Sequence, residues 1–473
     1  MEHQKINIGG LWSDDEVPVS PTGQYFNSSV LSISVLSVLE SDIPIDDSPT
    51  LALLKDLFLP INPRFSSIMV KDKNGVKQWK KVDVKLQDHV NVPTFPQGKS
   101  PEFYDACLND YLSKIALELF PQGRPLWNIH IFKYPTSNAA GSLVFKLHHA
   151  LGDGFSLMGA LLSCLKRCDD PALPLTFPNF QMKADLDDEK TSVYKRVTDT
   201  FSTVVNSASD FGWSLLKSSF LQDDRTPIRS GVEGVEFLPM NLITMSLSLD
   251  QIKEIKVNLG VTINDVLTGV IFLGTRLYMD ATSQESKNGV STALVLLNTR
   301  NIGGYTSVAE MIDASAAEKQ WGNQFGFLHV SVPELNEKEC SNPNQFVYKA
   351  QKIIKQKRES AGVFLTGRLL ETVRKYRGPE ATAQYIRSTL KNSSMTVSNM
   401  IGPLERMSLA NHPVKGFYFM LVGVPQSLTI TMVSYMKVVR IAVGMEKGLM
   451  DPQKYKSSVE SAFHMIYKAA VKS

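Results

Sequence analysis

Cysteine is scarce in this 473-residue sequence, which has Cys107, Cys164, Cys168 and Cys340 alone. Four in so long a chain exclude a disulfide framework. Cys164 and Cys168 lie one helical turn apart, but no nearby histidine or second cysteine pair completes a zinc site, so reduced structural thiols and no metal are expected. Charge of one sign is also lacking. The 50 basic and 47 acidic side chains leave a net charge of +3, without a Lys/Arg-rich block, which argues against nucleic acid as a partner. Residues Met1–Asp14 lack the basic-then-apolar order of a signal peptide. The longest uncharged run, Gly416–Met436, contains Pro425, Gln426 and several β-branched residues, and reads as paired core strands with a turn, not as a membrane helix. No internal repeat is visible.

What is present is an ordinary globular composition, 43% hydrophobic and 21% charged, in a chain long enough for two full cores. Proline and mixed charge in 169–190 mark the end of a first domain, and the polar, glycine-containing stretch 223–239 reads as a linker. The expected division is an N-terminal domain over 1–180, a crossing segment over 181–238 and a C-terminal domain over 239–473. Within the crossing segment, Val197, Phe201, Val204, Ala208, Phe211 and Leu215 recur at helical spacing, predicting an amphipathic helix over 193–220. It is too charged for a convincing span. It either packs on the body or lies on a bilayer surface.

One stretch carries chemistry. Leu143, Phe145, Leu147 and His149 alternate with Val144, Lys146 and His148, so a strand would place His149 at the end of an apolar row and His148 on the opposite face. Gly152-Asp153-Gly154 breaks the strand, and Phe155, Met158, Leu161, Leu162 and Leu165 then fall at helical spacing. A lone strand-end histidine is more often a satisfied core residue. Two adjacent histidines followed by Asp-Gly point instead to a neutral imidazole that takes a proton from a hydroxyl or thiol. Asp153 would fix the loop or orient the ring. No serine or cysteine nucleophile motif stands beside it, which implies direct transfer.

His148-His149-Ala150-Leu151-Gly152-Asp153-Gly154 matches the HHxxxDG signature of the CoA-dependent acyltransferase superfamily. Within it the chain most resembles the plant wax ester synthase/diacylglycerol acyltransferase family. The supporting elements come in that family's order: Pro18-Val19-Ser20-Pro21, Asp88-His89-Val90, Pro125-Leu126-Trp127, Asn264-Asp265, Trp321-Gly322-Asn323 and Ser398-Asn399-Met400-Ile401-Gly402-Pro403. By itself, Asn264-Asp265 before an apolar run reads as a helix cap. Trp127 and Pro125 suggest packing, and His89 a structural role. Asp210-Phe211-Gly212-Trp213 nearly spells a motif of the BAHD branch, but that motif belongs far downstream, and we read it as coincidence.

The resemblance implies an α/β fold of two chloramphenicol-acetyltransferase-like domains, mixed sheets with helices, and an active-site channel between them. It implies an O-acyltransferase that moves a long-chain fatty acyl group from acyl-CoA to a long-chain alcohol or to diacylglycerol. Acyl-CoA is then a co-substrate, and no resident cofactor is expected. His149 would be the general base, Asp153 would organise the loop with Gly154, and His148 would support the strand. Asn264 and Asp265 would form the second activity-bearing motif, with Asn264 a candidate oxyanion donor. Coenzyme A contacts are not assigned. The basic side of helix 345–359, with Lys349, Lys352, Lys355, Lys357 and Arg358, reads by default as solvated. The expected location is the endoplasmic reticulum membrane, cytosolic side, with the plasma membrane as an alternative. Two competing readings are a soluble BAHD-like acyltransferase for small alcohols and a non-catalytic lipid-binding relative.

Overall fold

The computed structural model describes residues 16–73, 75–178, 211–298, 321–336, 341–360 and 362–471. Two large mixed sheets dominate. The first runs in the order Val90–Asn91, Trp127–Phe132, Gly141–His148, Ser34–Ser41, His412–Val422, Met407–Leu409, Lys166–Arg167. The second runs Phe325–Ser331, Thr292–Asn298, Met395–Ile401, Leu428–Tyr435, Val438–Glu446, Met240–Ser248. A three-stranded sheet of Glu16–Pro18, Lys77–Lys81 and Ser67–Lys71 flanks the first.

The chain order crosses the expected domain boundary. Residues 407–422 lie in the sheet of the N-terminal half, so a cut at 239 separates strands that share a ladder. The expected pairing within Gly416–Met436 is corrected for the same reason. His412–Val422 pairs with Ser34–Ser41, while Leu428–Tyr435 sits between Met395–Ile401 and Val438–Glu446 in the other sheet. Two β-rich runs separated by a short glycine-containing turn read locally as a hairpin, but here each run finds its ladder elsewhere. Gly423 makes the switch possible. It has φ +76°, and a Cβ there would stand 2.2 Å from the Ser32 carbonyl oxygen.

The helix Pro101–Leu117 covers the outer face of the first sheet through Tyr104, Leu108, Leu112 and Ile115, while Phe103 and Leu119 are exposed. The second sheet packs on Ile263–Thr282, which is flanked by Asn344–Glu359 and Pro452–Val471 around Val270, Phe272, Val347 and Val459. The linker is not loose. Asp223 is buried and accepts from the Lys217 ammonium, the Thr292 N–H at 2.6 Å and the Ser394 hydroxyl at 2.6 Å. Of the predicted helix 193–220, all but the last turns lies outside the described residues. Residues 211–219 are helical.

Three buried histidines give the fold a pH dependence. Burial pushes His130 and His329 down to about 4 and His148 to about 3. The unfolded chain protonates such rings near pH 6.5, and the native chain only near pH 4 or below. Their contribution therefore favours the native state above pH 6.5 and turns against it as pH falls to 4. Among the described residues His329 has no hydrogen-bond partner on either ring nitrogen. Lys217 and Lys357 disfavour its protonation and Asp223 opposes them. The melting temperature is expected to drop between pH 6.5 and 4, and His329→Leu should flatten that drop. An unchanged slope in the variant removes His329 from this account.

Candidate active site

The strand Gly141–His148 has two faces, as the alternation predicts. Phe145 and Leu147 enter the core on one side. On the other, Lys146 and His148 both meet the Phe120 ring, at 4.8 and 5.9 Å. His148 Nδ1 accepts the Ala150 N–H at 3.0 Å, so its other nitrogen carries the proton and donates to Ser32 Oγ at 3.1 Å. Both ring nitrogens are occupied by structure. His149, just past the strand, turns the opposite way and lines a cavity of about 370 Å³ between the two sheets.

The cavity is mostly apolar, with Val35, Phe155, Met158, Phe177, Leu296 and Phe419 in its wall. Besides His149, its polar side chains are Asp153, Gln324, Asn298, Ser398 and Asn399. Asn298 and Ile401 end adjacent parallel strands of the second sheet, so strand ends from both halves meet at His149. Phe26 packs on the imidazole with ring centroids 4.9 Å apart and Phe325 at 5.5 Å. Phe26 is delivered by the Pro18-Val19-Ser20-Pro21 element: Ser20 caps the helix Pro21–Phe26 by accepting the Gly23 N–H.

Asp153 acts on the His149 ring as a nearby charge and on the backbone as an acceptor. Its Oδ1 caps the helix Gly154–Ser163 by accepting the Ser156 N–H at 3.0 Å, and its Oδ2 accepts the Gln324 N–H at 2.9 Å. It therefore ties the 149–154 turn to a segment of the other half. Residues 321–324 dock along that turn. Trp321 Nε1 donates to Leu151 O at 2.8 Å, and the Ser156 hydroxyl both accepts from Gly322 N and donates to Gly322 O. Half-buried Arg64 also donates to Leu151 O, at 2.9 Å. Gly154 lines the cavity, where a Cβ would crowd Met400 Sδ at 3.1 Å.

The residue that reaches the His149 ring is Asn323. Its Oδ1 lies 2.7 Å from His149 Nδ1, and its Nδ2 donates to His149 O at 2.9 Å. Sequence reasoning noticed the Trp-Gly-Asn element without giving it a task, since nothing local pairs residues 174 positions apart. The Asn264-Asp265 pair stands further out. Thr262 is the helix N-cap, and Asp265 closes a capping box with it. The expected capping role thus falls to Asp265, which accepts the Thr262 N–H, and not to Asn264. Asn264 lies outside the cavity wall and accepts from Asn399 Nδ2 at 3.4 Å. His89 stacks on Trp127 at 4.1 Å and bonds to its carbonyl, and Trp127 Nε1 donates to Phe65 O, so both are structural.

Two family models match along the chain. The wax ester synthase/diacylglycerol acyltransferase catalytic domain matches residues 58–267, and the WS/DGAT C-terminal domain matches 321–467. The chain belongs to the wax ester synthase/diacylglycerol acyltransferase family. The catalytic-domain model thus holds His149, and the C-terminal model begins at Trp321, the residue that docks beside it. Wax ester synthase/diacylglycerol acyltransferase 4 of Arabidopsis thaliana is 29% identical, covering 98% of this chain and 92% of its own. Member 11 from the same plant is 28% identical, covering 97% and 96%.

Solved structures agree on the fold. The wax ester synthase/diacylglycerol acyltransferase from Marinobacter aquaeolei VT8 superposes with a TM-score of 0.59 at 15% identity, over 96% of this chain and 100% of that one. A starter condensation domain of rhizomide synthetase, solved with C8-CoA, gives 0.54 at 12% identity, over 96% and 94%. The fold is the expected α/β one, two chloramphenicol-acetyltransferase-like halves with the cavity between them.

Proposed function

We propose that this protein transfers a long-chain fatty acyl group from acyl-CoA to the hydroxyl of a long-chain alcohol or of diacylglycerol, with His149 as general base. The observation that carries the reading is a buried imidazole held through Nδ1 by Asn323, on the wall of a mostly apolar cavity of about 370 Å³. Nε2 takes the hydroxyl proton as the oxygen attacks the thioester carbonyl. The tetrahedral oxyanion then collapses, the C–S bond breaks, and the proton passes from His149 to the departing thiolate. The products are an ester and free coenzyme A. Burial lowers the proton affinity of His149, against the opposing effects of Asp153 and of the bond to Asn323, so the ring is neutral near pH 7 and ready to accept. Donors to the oxyanion must come from the polar wall. Ser398 and Asn399 stand in it, and Asn264 is placed to orient Asn399. The deciding experiment offers palmitoyl-CoA with hexadecanol or with diacylglycerol and measures coenzyme A release and ester. Release without either ester defeats the reading.

The acceptors are barely soluble, and the same reading puts the enzyme at a bilayer, on the cytosolic side of the endoplasmic reticulum. A fluorescent fusion spread through the cytosol counts against that placement. Among the described residues no single helix is long and apolar enough to cross a membrane. The support for surface contact is at 211–220. Phe211 and Leu215, from the predicted stripe, are half-buried, while Trp213, Leu216 and Phe220 are exposed, Phe220 at 78%. Their spacing puts them on one side of the helix. Even a fraction of about 1.5–3 kcal/mol for each side chain makes the three worth roughly tenfold or more in partitioning. Replacing all three by serine should weaken co-sedimentation with vesicles about tenfold and spare activity on detergent-dispersed acceptor. Unchanged sedimentation moves the contact elsewhere.

A further inference from the structure

We infer that Asn323 is a positioning residue for His149: it selects the imidazole tautomer with the proton on Nδ1, holds the ring plane, and so presents the Nε2 lone pair to the cavity. The inference rests on His149 being the base. It adds that the base becomes competent only through a side chain delivered by the other half of the molecule.

The assignment follows from the hydrogen bonds. A backbone carbonyl can only accept, so the Asn323 atom 2.9 Å from His149 O is the amide nitrogen. The remaining atom, 2.7 Å from Nδ1, is then the amide oxygen, which also only accepts. Nδ1 must therefore carry hydrogen, and in the neutral ring Nε2 must carry the lone pair. The amide grips His149 twice, at the ring and at its own carbonyl, and the opposite amide orientation would set two acceptors, the amide oxygen and the His149 carbonyl, against each other and lose that bond. Phe26 and Phe325 close in on the ring and leave it little freedom to turn.

The docking of 321–324 makes Asn323 dependable. Successive residues bond to the catalytic turn: Trp321 to Leu151, Gly322 to Ser156, Asn323 to His149 and Gln324 to Asp153. Gly322 has φ +120°, where a side chain is strained, so the segment bends as it does only because glycine is there. Asp153 is the charged group acting on His149, and both its oxygens are held by the Ser156 and Gln324 N–H groups. His148 is neutral in the native state, and Arg64 faces the carbonyl of Leu151. Phe26 and Phe325, from the helix and strand packed on the ring, carry no charge. A neutral amide orients the base without adding a second buried charge beside it.

The test uses the full-length protein. Asn323→Ala should lower kcat by about 10–100-fold, as loss of a histidine's orienting partner does elsewhere, with KM for palmitoyl-CoA unchanged. Asn323→Asp sets a carboxylate against Nδ1–H, favours imidazolium, and should move the acid limb of kcat/KM to higher pH by about 1 unit or more. Histidine-15N spectra of the wild type, with His149 identified by its loss in His149→Ala, should show a protonated Nδ1 and a bare Nε2. A folded Asn323→Ala with full kcat, an unmoved acid limb in Asn323→Asp, or a bare Nδ1 in the spectrum each overturns the inference. If Asn323→Ala does not fold, the spectrum and the Asp variant still decide it. An active His149→Ala defeats the base itself, whatever the tautomer. An inactive one with a bare Nδ1 defeats only the role of Asn323.

Discussion

Replacing His149 by alanine is expected to lower kcat by about 10²–10⁴-fold, the usual worth of a general base, while the protein stays folded. The side chain faces the cavity, its Nδ1 bond is to a side chain, and its backbone bond to Ile33 O survives the change. Coenzyme A release, read beside a melting curve, checks both halves of the statement. His148→Ala should behave in the opposite way. It removes the acceptor for the Ala150 N–H and the partner of Ser32, a loss of about 1–3 kcal/mol for each buried group left unpaired, and it leaves the His149 ring untouched. Stability should fall more than kcat. If His148→Ala is as inactive as His149→Ala in a folded protein, the division of labour between the two faces of the strand is wrong.

Asp153 is expected to give the second large effect, on stability and rate together. Its two oxygens accept N–H groups from different halves of the molecule, Ser156 and Gln324. Alanine removes the helix cap, about 0.5–2 kcal/mol, and unpairs the Gln324 N–H, about 1–3 kcal/mol. It also frees the segment that carries Asn323, so kcat should fall well beyond what the lost stability alone explains. Asparagine is the discriminating variant. It has one acceptor oxygen for two N–H donors, and its amide nitrogen faces the other. It should keep the cap or the bridge but not both, and retain partial activity with an intermediate melting temperature. A stable Asp153→Asn protein as inactive as His149→Ala gives the carboxylate a direct chemical part.

These expectations separate what one dimension can carry from what it cannot. The strand–histidine–turn–helix unit was legible because its causes are local. Period-two alternation put His148 and His149 on opposite faces, and Gly152-Asp153-Gly154 could only turn. The family elements and the helix Asn344–Glu359, expected over 345–359, were legible for the same reason, since short motifs and apolar spacing act over a few residues. Trp127 read correctly as packing, because a large ring beside a strand start needs a core.

The partners across the fold were not legible. The sequence allowed Gly416–Met436 to be a hairpin, and only the competition of two sheets for its strands sent His412–Val422 one way and Leu428–Tyr435 the other. Asp153 read as a loop residue that could orient the ring; the tertiary structure makes each of its oxygens accept a backbone N–H, from Ser156 and from Gln324, and sets the Asn323 amide against the ring. Side-chain hydrogen bonds between residues far apart have no period and no spacing rule, since the chain's path sets the distance. The sequence by itself therefore determined which imidazole faces the cavity. Which of its nitrogens is free was decided only when the second half folded against the first.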